Sequence, residues 1–184
     1  LTAEVESAFF GFCDKYIPDA REVSLPDPRP CVETYTKLRR ESFLFHLKEI
    51  KDHPERFSPV VLELLKAGDV TESEYIEAKA WQKEHTREIE SIFSHCDALV
   101  LPTTPSVAPL IGERHIELPT GKAALRDAIM RLTLPFSMAG TPTVSLPLLK
   151  IGGLPVGVQI VTRRKCDWDA LEFAEKIWAT VSLP

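Results

Sequence analysis

The chain has 184 residues, 44% of them hydrophobic and 27% charged, with a formal net charge of −5. Those are globular values for a chain long enough to build one packed core, and a net negative charge without a basic patch excludes a surface that tracks a nucleic-acid backbone. No apolar run approaches the roughly 20 residues needed to cross a bilayer. The four cysteines, Cys13, Cys31, Cys96 and Cys166, stand at no metal-type or redox-type spacing. They read as small thiols in a reducing compartment, which makes a cytoplasmic location the expectation. His46, His53 and His115 have no partner at helical spacing, so neither a metal nor another cofactor is expected. The first residue is Leu1 rather than Met, and it leads almost directly into a helical pattern without a secretory leader. A processed, excised or incomplete chain is the expectation.

Residues 2–16 carry Val5, Ala8, Phe9, Phe12 and Cys13 at helical spacing, and Pro18 ends the pattern. Ala20–Pro26 reads as a short strand, and Asp27–Pro30 as a linker stiffened by two prolines. Residues 32–51 read as one helix with Tyr35, Leu38, Phe43, Leu47 and Ile50 inward, and its Arg39-Arg40-Glu41 cluster as a wet face. Ser58-Pro59 opens another helix with a broad apolar face of Val61, Leu62, Leu64 and Leu65, and Gly68 is its expected stop. Thr71-Glu-Ser-Glu74 is a capping box for the longest helix, which the spacing carries to about Cys96. Ala78, Trp81, His85, Ile89, Ile92 and Phe93 form its inward stripe, with His85 on or beside it, partly buried and hydrogen-bonded. His95 and Cys96 are no catalytic dyad, because adjacent helical side chains diverge by about 100°.

Three short runs without formal charge follow, each bounded by turn residues: Ala98–Leu101, Thr143–Leu146 and Val156–Val161. Runs apolar on both faces predict buried strands that need helices on both sides of the sheet. Pro102-Thr-Thr-Pro105 lies beyond the end of the first, where ligands gather in α/β sheets. Thr103 and Thr104 therefore either line a pocket or tie the strand terminus by hydroxyl–backbone bonds. Residues 112–120 read as irregular, Ala123–Leu132 as a short helix, and Gly152-Gly153 as the loop between the last two strands. Asp167 is the expected cap of a final helix with Trp168, Leu171, Ala174, Ile177 and Trp178 on its core side.

Asp97-Ala-Leu-Val-Leu-Pro-Thr-Thr-Pro105, Thr133-Leu-Pro-Phe-Ser-Met-Ala-Gly-Thr-Pro142 and Gly153-Leu-Pro-Val-Gly-Val-Gln-Ile-Val161, in this order and spacing, resemble the C-terminal half of an amidase-signature enzyme. The resemblance runs along essentially the whole chain. It implies an α/β fold, the C-terminal portion of the amidase-signature fold, with a mixed sheet and covering helices. The chain would then be one partial domain over residues 1–184, mostly helical with one short strand over 1–96 and strand-rich with a final helix over 97–184. It also implies hydrolysis of a carboxylic amide through an acyl-serine intermediate. The family's catalytic Lys and two Ser residues belong to an upstream half that this chain does not contain. No Gly-Gly-Ser-Ser run, no nucleophile elbow and no Lys in an apolar setting is found here. No catalytic residue is therefore assigned, and the chain alone is expected to be inactive. Ser145 reads as a packed strand residue with a satisfied hydroxyl.

What the resemblance leaves to this half is one side of the acyl pocket. It implies Thr103, Thr104, Met130, Thr133, Leu134 and Ser137 as substrate-binding residues. Ser137 stands where Asn is more common. Met130 holds a specificity position where an amidotransferase subunit of this pattern would carry an acidic residue. An apolar Met130 points away from glutamine and towards an apolar or aromatic acyl group, with Asp127 a turn away. Simple core packing is the other reading of Met130 and Leu134. The implied partner is a small-molecule amide bound together with the missing half, and family members often form homodimers. Two readings of other classes remain open: a non-catalytic scaffold that keeps half the fold, and a fragment of an amidotransferase A-type subunit.

Overall fold

The computed structural model describes residues 1–182, so that residues 183 and 184 of the expected domain span lie outside the described residues. Thr2 caps helix α1 (Ala3–Tyr16) by accepting from the Val5 N–H. The expected strand over residues 20–26 is not formed: those residues are solvent-facing and join neither sheet. Val23 and Leu25 are exposed there, because no strand among the described residues offers this segment its backbone groups. The expected linker is shorter than its prolines suggest. Helix α2 (Arg29–Leu38) takes Pro30 into its first turn, where a missing N–H costs nothing. The single helix expected over 32–51 is two helices. Arg39 separates α2 from α3 (Arg40–Asp52), and Gly68 backs so closely onto it that a Cβ there would lie 2.6 Å from the Arg39 carbonyl oxygen. Gly68 is thus needed for close approach rather than for a left-handed stop.

A 3-10 turn over Pro54–Arg56 leads to α4 (Pro59–Lys66), capped by Ser58 as expected. Its apolar face is not buried; Val60 and Val61 are exposed. The capping box forms: the Thr71 hydroxyl accepts from Glu74 N–H, and the Glu74 carboxylate accepts from Thr71 N–H at 2.8 Å. It opens α5 (Glu72–Ile92), which ends a turn before Cys96 and buries Ala78, His85 and Ile89 on the expected stripe.

Strand β1 (Ala98–Pro102) follows, then a hairpin where irregular chain was expected, β2 (His115–Leu118) with β3 (Gly121–Ala124). Gly121 at φ +107° makes the tight turn that alternation alone did not reveal. Helix α6 (Leu125–Ala139) runs seven residues beyond its expected end and through Pro135, stopping at Gly140 in the left-handed conformation. Strands β4 (Thr143–Ile151) and β5 (Leu154–Thr162) form a hairpin on Gly152-Gly153, both at positive φ, the conformation a two-residue turn requires. Helix α7 (Asp167–Ser182) closes the described chain, with Asp167 its first residue rather than its cap.

The main sheet has the order β1-β5-β4, and both of its ladders are antiparallel. Central β5 is covered on both faces. On one side Val156 and Val158 pack with Val5, Phe9 and Phe12 of α1; on the other Val161 packs with Leu99, Ile89 and Phe136. Each such side chain contributes about 1.5–3 kcal/mol by leaving water. Edge strand β4 departs from the expectation of two buried faces, since Thr143, Ser145 and Pro147 are exposed. Its register shifts between Leu146 and Leu149 around Pro147, which has no N–H to give a ladder. In α7 the small residues Ala170 and Ala174 face inward, while Trp168, Leu171 and Trp178, expected in the core, are exposed.

Candidate functional site

At the uncovered end of the sheet face that α5 and α6 otherwise cover, two hydroxyls meet. Thr103 Oγ1 and Ser145 Oγ lie 2.6 Å apart, bridging from the end of β1 to β4 across central β5. They meet because residue 157 is glycine: a Cβ there would be 2.7 Å from both oxygens. The Thr103 N–H donates to the Gly157 carbonyl at 2.8 Å, which fixes the threonine on the strand. Ser145 was expected to be packed. Its hydroxyl is satisfied, but the residue is exposed, since β4 is an edge strand.

Two residues along β5, Gln159 is 1% exposed, and its Nε2 donates to two carbonyls, Pro102 at 3.1 Å and Leu132 at 2.8 Å. One buried, uncharged amide thus ties the end of β1, just before Thr103, to α6, just before Thr133. The bond to Leu132 O falls in the turn that precedes Pro135, inside α6. An interior proline removes a helical N–H and crowds the preceding turn, at a cost of about 3 kcal/mol. Here the carbonyls around it find side-chain donors. His85 Nε2 donates to Pro135 O at 3.0 Å, Gln82 Nε2 to Met138 O at 3.0 Å, and Thr141 Oγ1 to Phe136 O at 3.1 Å. A carbonyl can only accept, so Nε2 of His85 carries the ring proton. The ring stacks on Trp81 at 4.9 Å, and its buried Nδ1 has no partner.

Of the six implied substrate residues, Met130, Thr133, Leu134 and Ser137 follow one another at helical spacing on α6. Leu134 is buried beside Cys31 and Met138, and Met130 packs against the same cluster. Ser137 is exposed, and its hydroxyl donates back to Thr133 O at 3.2 Å. Thr104 closes its own loop by donating to Ser106 O at 2.8 Å. Thr103 and Thr133 lie on the two elements that Gln159 joins. Ser145, Gly157 and Gln159, which join this arrangement, were not among the residues implied from the sequence. The signal available was a lone glycine and a lone amide inside an otherwise apolar strand, a pattern of close backbone approach.

These groups can orient a ligand by hydrogen bonds, but neither hydroxyl of the pair is bonded to a base among the described residues. The Cys31 thiol is pushed up to about 11, by burial first and then by Asp27, and is no nucleophile at neutral pH. Among the described residues no three His, Cys, Asp or Glu side chains are arranged to hold a metal ion, and no helix is long and apolar enough to cross a membrane.

Residues 31–171 match the family described as Amidase. The chain is 30% identical over 124 residues to AtzE, the 1-carboxybiuret hydrolase subunit of Pseudomonas sp. strain ADP, covering 66% of this chain and 27% of that protein. It is 34% identical over 147 residues to a glutamyl-tRNA(Gln) amidotransferase subunit of Symbiobacterium thermophilum, covering 80% of this chain and 27% of the relative. Among solved structures, a crystal structure of an amidase superposes with a TM-score of 0.91 at 39% identity, over 97% of this chain and 42% of that one. The chain thus spans about a quarter of the length of the curated relatives it matches.

Proposed function

This chain belongs to the amidase family, and on that premise we propose that it forms one wall of the acyl pocket of an amidohydrolase. It acts there as a single partial domain whose nucleophile, base and oxyanion donors come from chain outside these residues. A serine oxygen attacks the amide carbonyl, the C–N bond breaks, and the proton released by the serine passes to the departing amine. Water then cleaves the acyl–oxygen bond and frees the acid. This chain binds and orients the acyl part. The observation that carries the reading is the Thr103–Ser145 hydroxyl pair at the exposed end of the sheet face, beside the Gln159 amide that joins β1 to α6. The unpaired segment over residues 20–26 supports it, since a strand-like run without a strand partner suits a sheet completed by further chain. Apolar Met130 and Leu134 favour an apolar or aromatic acyl group. We infer a cytoplasmic setting, which four free thiols favour.

The test uses aliphatic and aromatic amides, glutamine included, offered to this chain alone and to the protein as its source makes it. The chain alone is expected to be inert and the natural protein to release acid. In the natural protein Thr103→Val and Ser145→Ala are each expected to lower kcat/KM by about tenfold, the effect of losing one good substrate hydrogen bond. Hydrolysis by the repurified chain alone, or an inert natural protein, would overturn the reading. The likeness to an amidotransferase subunit over 80% of the chain favours a second reading, transfer of ammonia from glutamine within a multi-subunit complex. That reading predicts activity only with glutamine and partner subunits present.

A further inference from the structure

A second cleft, of about 250 Å³, opens between α2, α5 and α6. Its apolar floor is Leu38, Leu134 and Met138, and its polar rim carries Arg39, Lys79 and Glu41. Two cations and one carboxylate leave it one positive charge in excess, in a chain whose net charge is −5. Glu41 is already engaged, accepting from the Tyr75 hydroxyl and standing 3.9 Å from Lys79 Nζ. Arg39 is different. Its guanidinium lies over the Tyr35 ring at 4.8 Å, and no carboxylate pairs with it among the described residues. Its backbone is held at the α2–α3 break by the close approach of Gly68. A guanidinium held over a ring and unpaired with any carboxylate among the described residues keeps N–H donors free, and its fork can grip a carboxylate through two bonds.

We propose that this cleft binds the carboxylate of a small organic acid on Arg39, with the acid's apolar part against Leu38, Leu134 and Met138. Drug-sized ligands need roughly 300–1,000 Å³, so the occupant is smaller than these. Leu134 and Ser137 border both this cleft and the proposed pocket wall, and in that respect the inference rests on the pocket-wall reading; acid binding itself requires no turnover. The experiment is a calorimetric titration of the intact protein with phenylacetate and with its uncharged counterpart 2-phenylethanol. Wild type is expected to bind phenylacetate at least tenfold more tightly than the alcohol. Arg39→Gln is expected to remove that preference, and Arg39→Lys, which keeps the charge but loses the fork, to fall between. Glu41→Gln, which leaves Arg39 intact and removes the competing anion, is expected to tighten phenylacetate about threefold. Equal binding of acid and alcohol by wild type, or a preference that none of the three substitutions moves, overturns the proposal. Amide hydrolysis measured on the same samples separates the two claims: turnover of neutral amides without acid binding removes only this one.

Discussion

A methyl group added at Gly157 and one added at Gly68 meet obstacles of different stiffness. At Gly157 the nearest atoms are the Ser145 and Thr103 hydroxyls, 2.7 Å away, and hydroxyls can rotate. Gly157→Ala should therefore break the hydroxyl pair at a cost of about 1 kcal/mol. At Gly68 the obstacle is the backbone of Arg39, at 2.6 and 2.7 Å, which cannot turn aside. Gly68→Ala should cost more, about 2–3 kcal/mol, by forcing the α2–α3 break apart. Urea unfolding midpoints of the two variants give the order directly; the reverse order would mean that the hydroxyl pair is the stiffer contact. Cys31 offers a pH test. Its folded thiol ionises only near 11 against 9.0 for the ordinary group. Below about pH 9 both folded and unfolded thiols are protonated and the site is neutral to stability. Above it the unfolded chain loses the proton first, so stability should fall as pH rises from about 9 towards 11. Cys31→Ser should flatten that part of the profile, and alkylation of Cys31 at pH 7.5 should wait for unfolding. The place of Thr103 beyond a strand end was legible because it is a matter of order along the chain. Ser145 was not: whether a strand is an edge depends on which strands it pairs with, and its own alternation does not carry that.

Helix α6 is where local and tertiary preferences conflict most openly. Its sequence asks for a break at Pro135, yet the helix continues, with carbonyls bonded by three distant side chains, Gln159, His85 and Gln82, and by neighbouring Thr141. Gln159 differs from the other three in that one amide bonds both Leu132 O of α6 and Pro102 O of β1. Gln159→Leu keeps the volume and removes both donors, and two buried carbonyls without partners should cost about 2–4 kcal/mol. Hydrogen exchange should quicken in the second half of α6 and at the end of β1 together, because the same amide holds both. Protection lost in β1 alone would show that α6 stands without this tie. The donors lie 27, 50 and 56 residues away from the carbonyls they serve, which is why the helix end was not legible from its own stretch. The three strands and the capping box were legible, since their signals are local: β-branched runs between turn residues, and a Thr and a Glu three positions apart. The hairpin β2–β3 was not, as each strand is only four residues long and β3, Gly-Lys-Ala-Ala, carries no β-branched or large apolar residue.

At the scale of the molecule, the distribution of apolar surface says more than the core does. Trp168 is 82% exposed and Trp178 47%, and with Leu171 they stand beside Val144, Leu146 and Pro147 of β4 around an open cavity of about 630 Å³. A contiguous apolar patch of this kind is uncommon on a soluble monomer. The helical spacing of α7 had predicted that these side chains face a core; among the described residues Ala170 and Ala174 are buried and Ile177 and Val181 pack partly against the sheet cluster, while Trp168, Leu171 and Trp178 stay outside. The three tryptophans make the patch measurable. Trp81 is stacked on buried His85 and serves as an internal constant. In the 184-residue chain alone Trp168 and Trp178 should emit at long wavelength and be quenched freely by acrylamide. Trp168→Ser with Trp178→Ser should remove the quenchable part of the signal and lower binding of an apolar dye. The melting temperature should change little, since the removed surface was already in water. If the natural protein places further chain over this side of the sheet, as the pocket-wall reading has it, the same two tryptophans should there emit at shorter wavelength and resist quenching. Equal exposure in both forms would mean that the added chain completes the site from the hydroxyl face alone and leaves α7 bare.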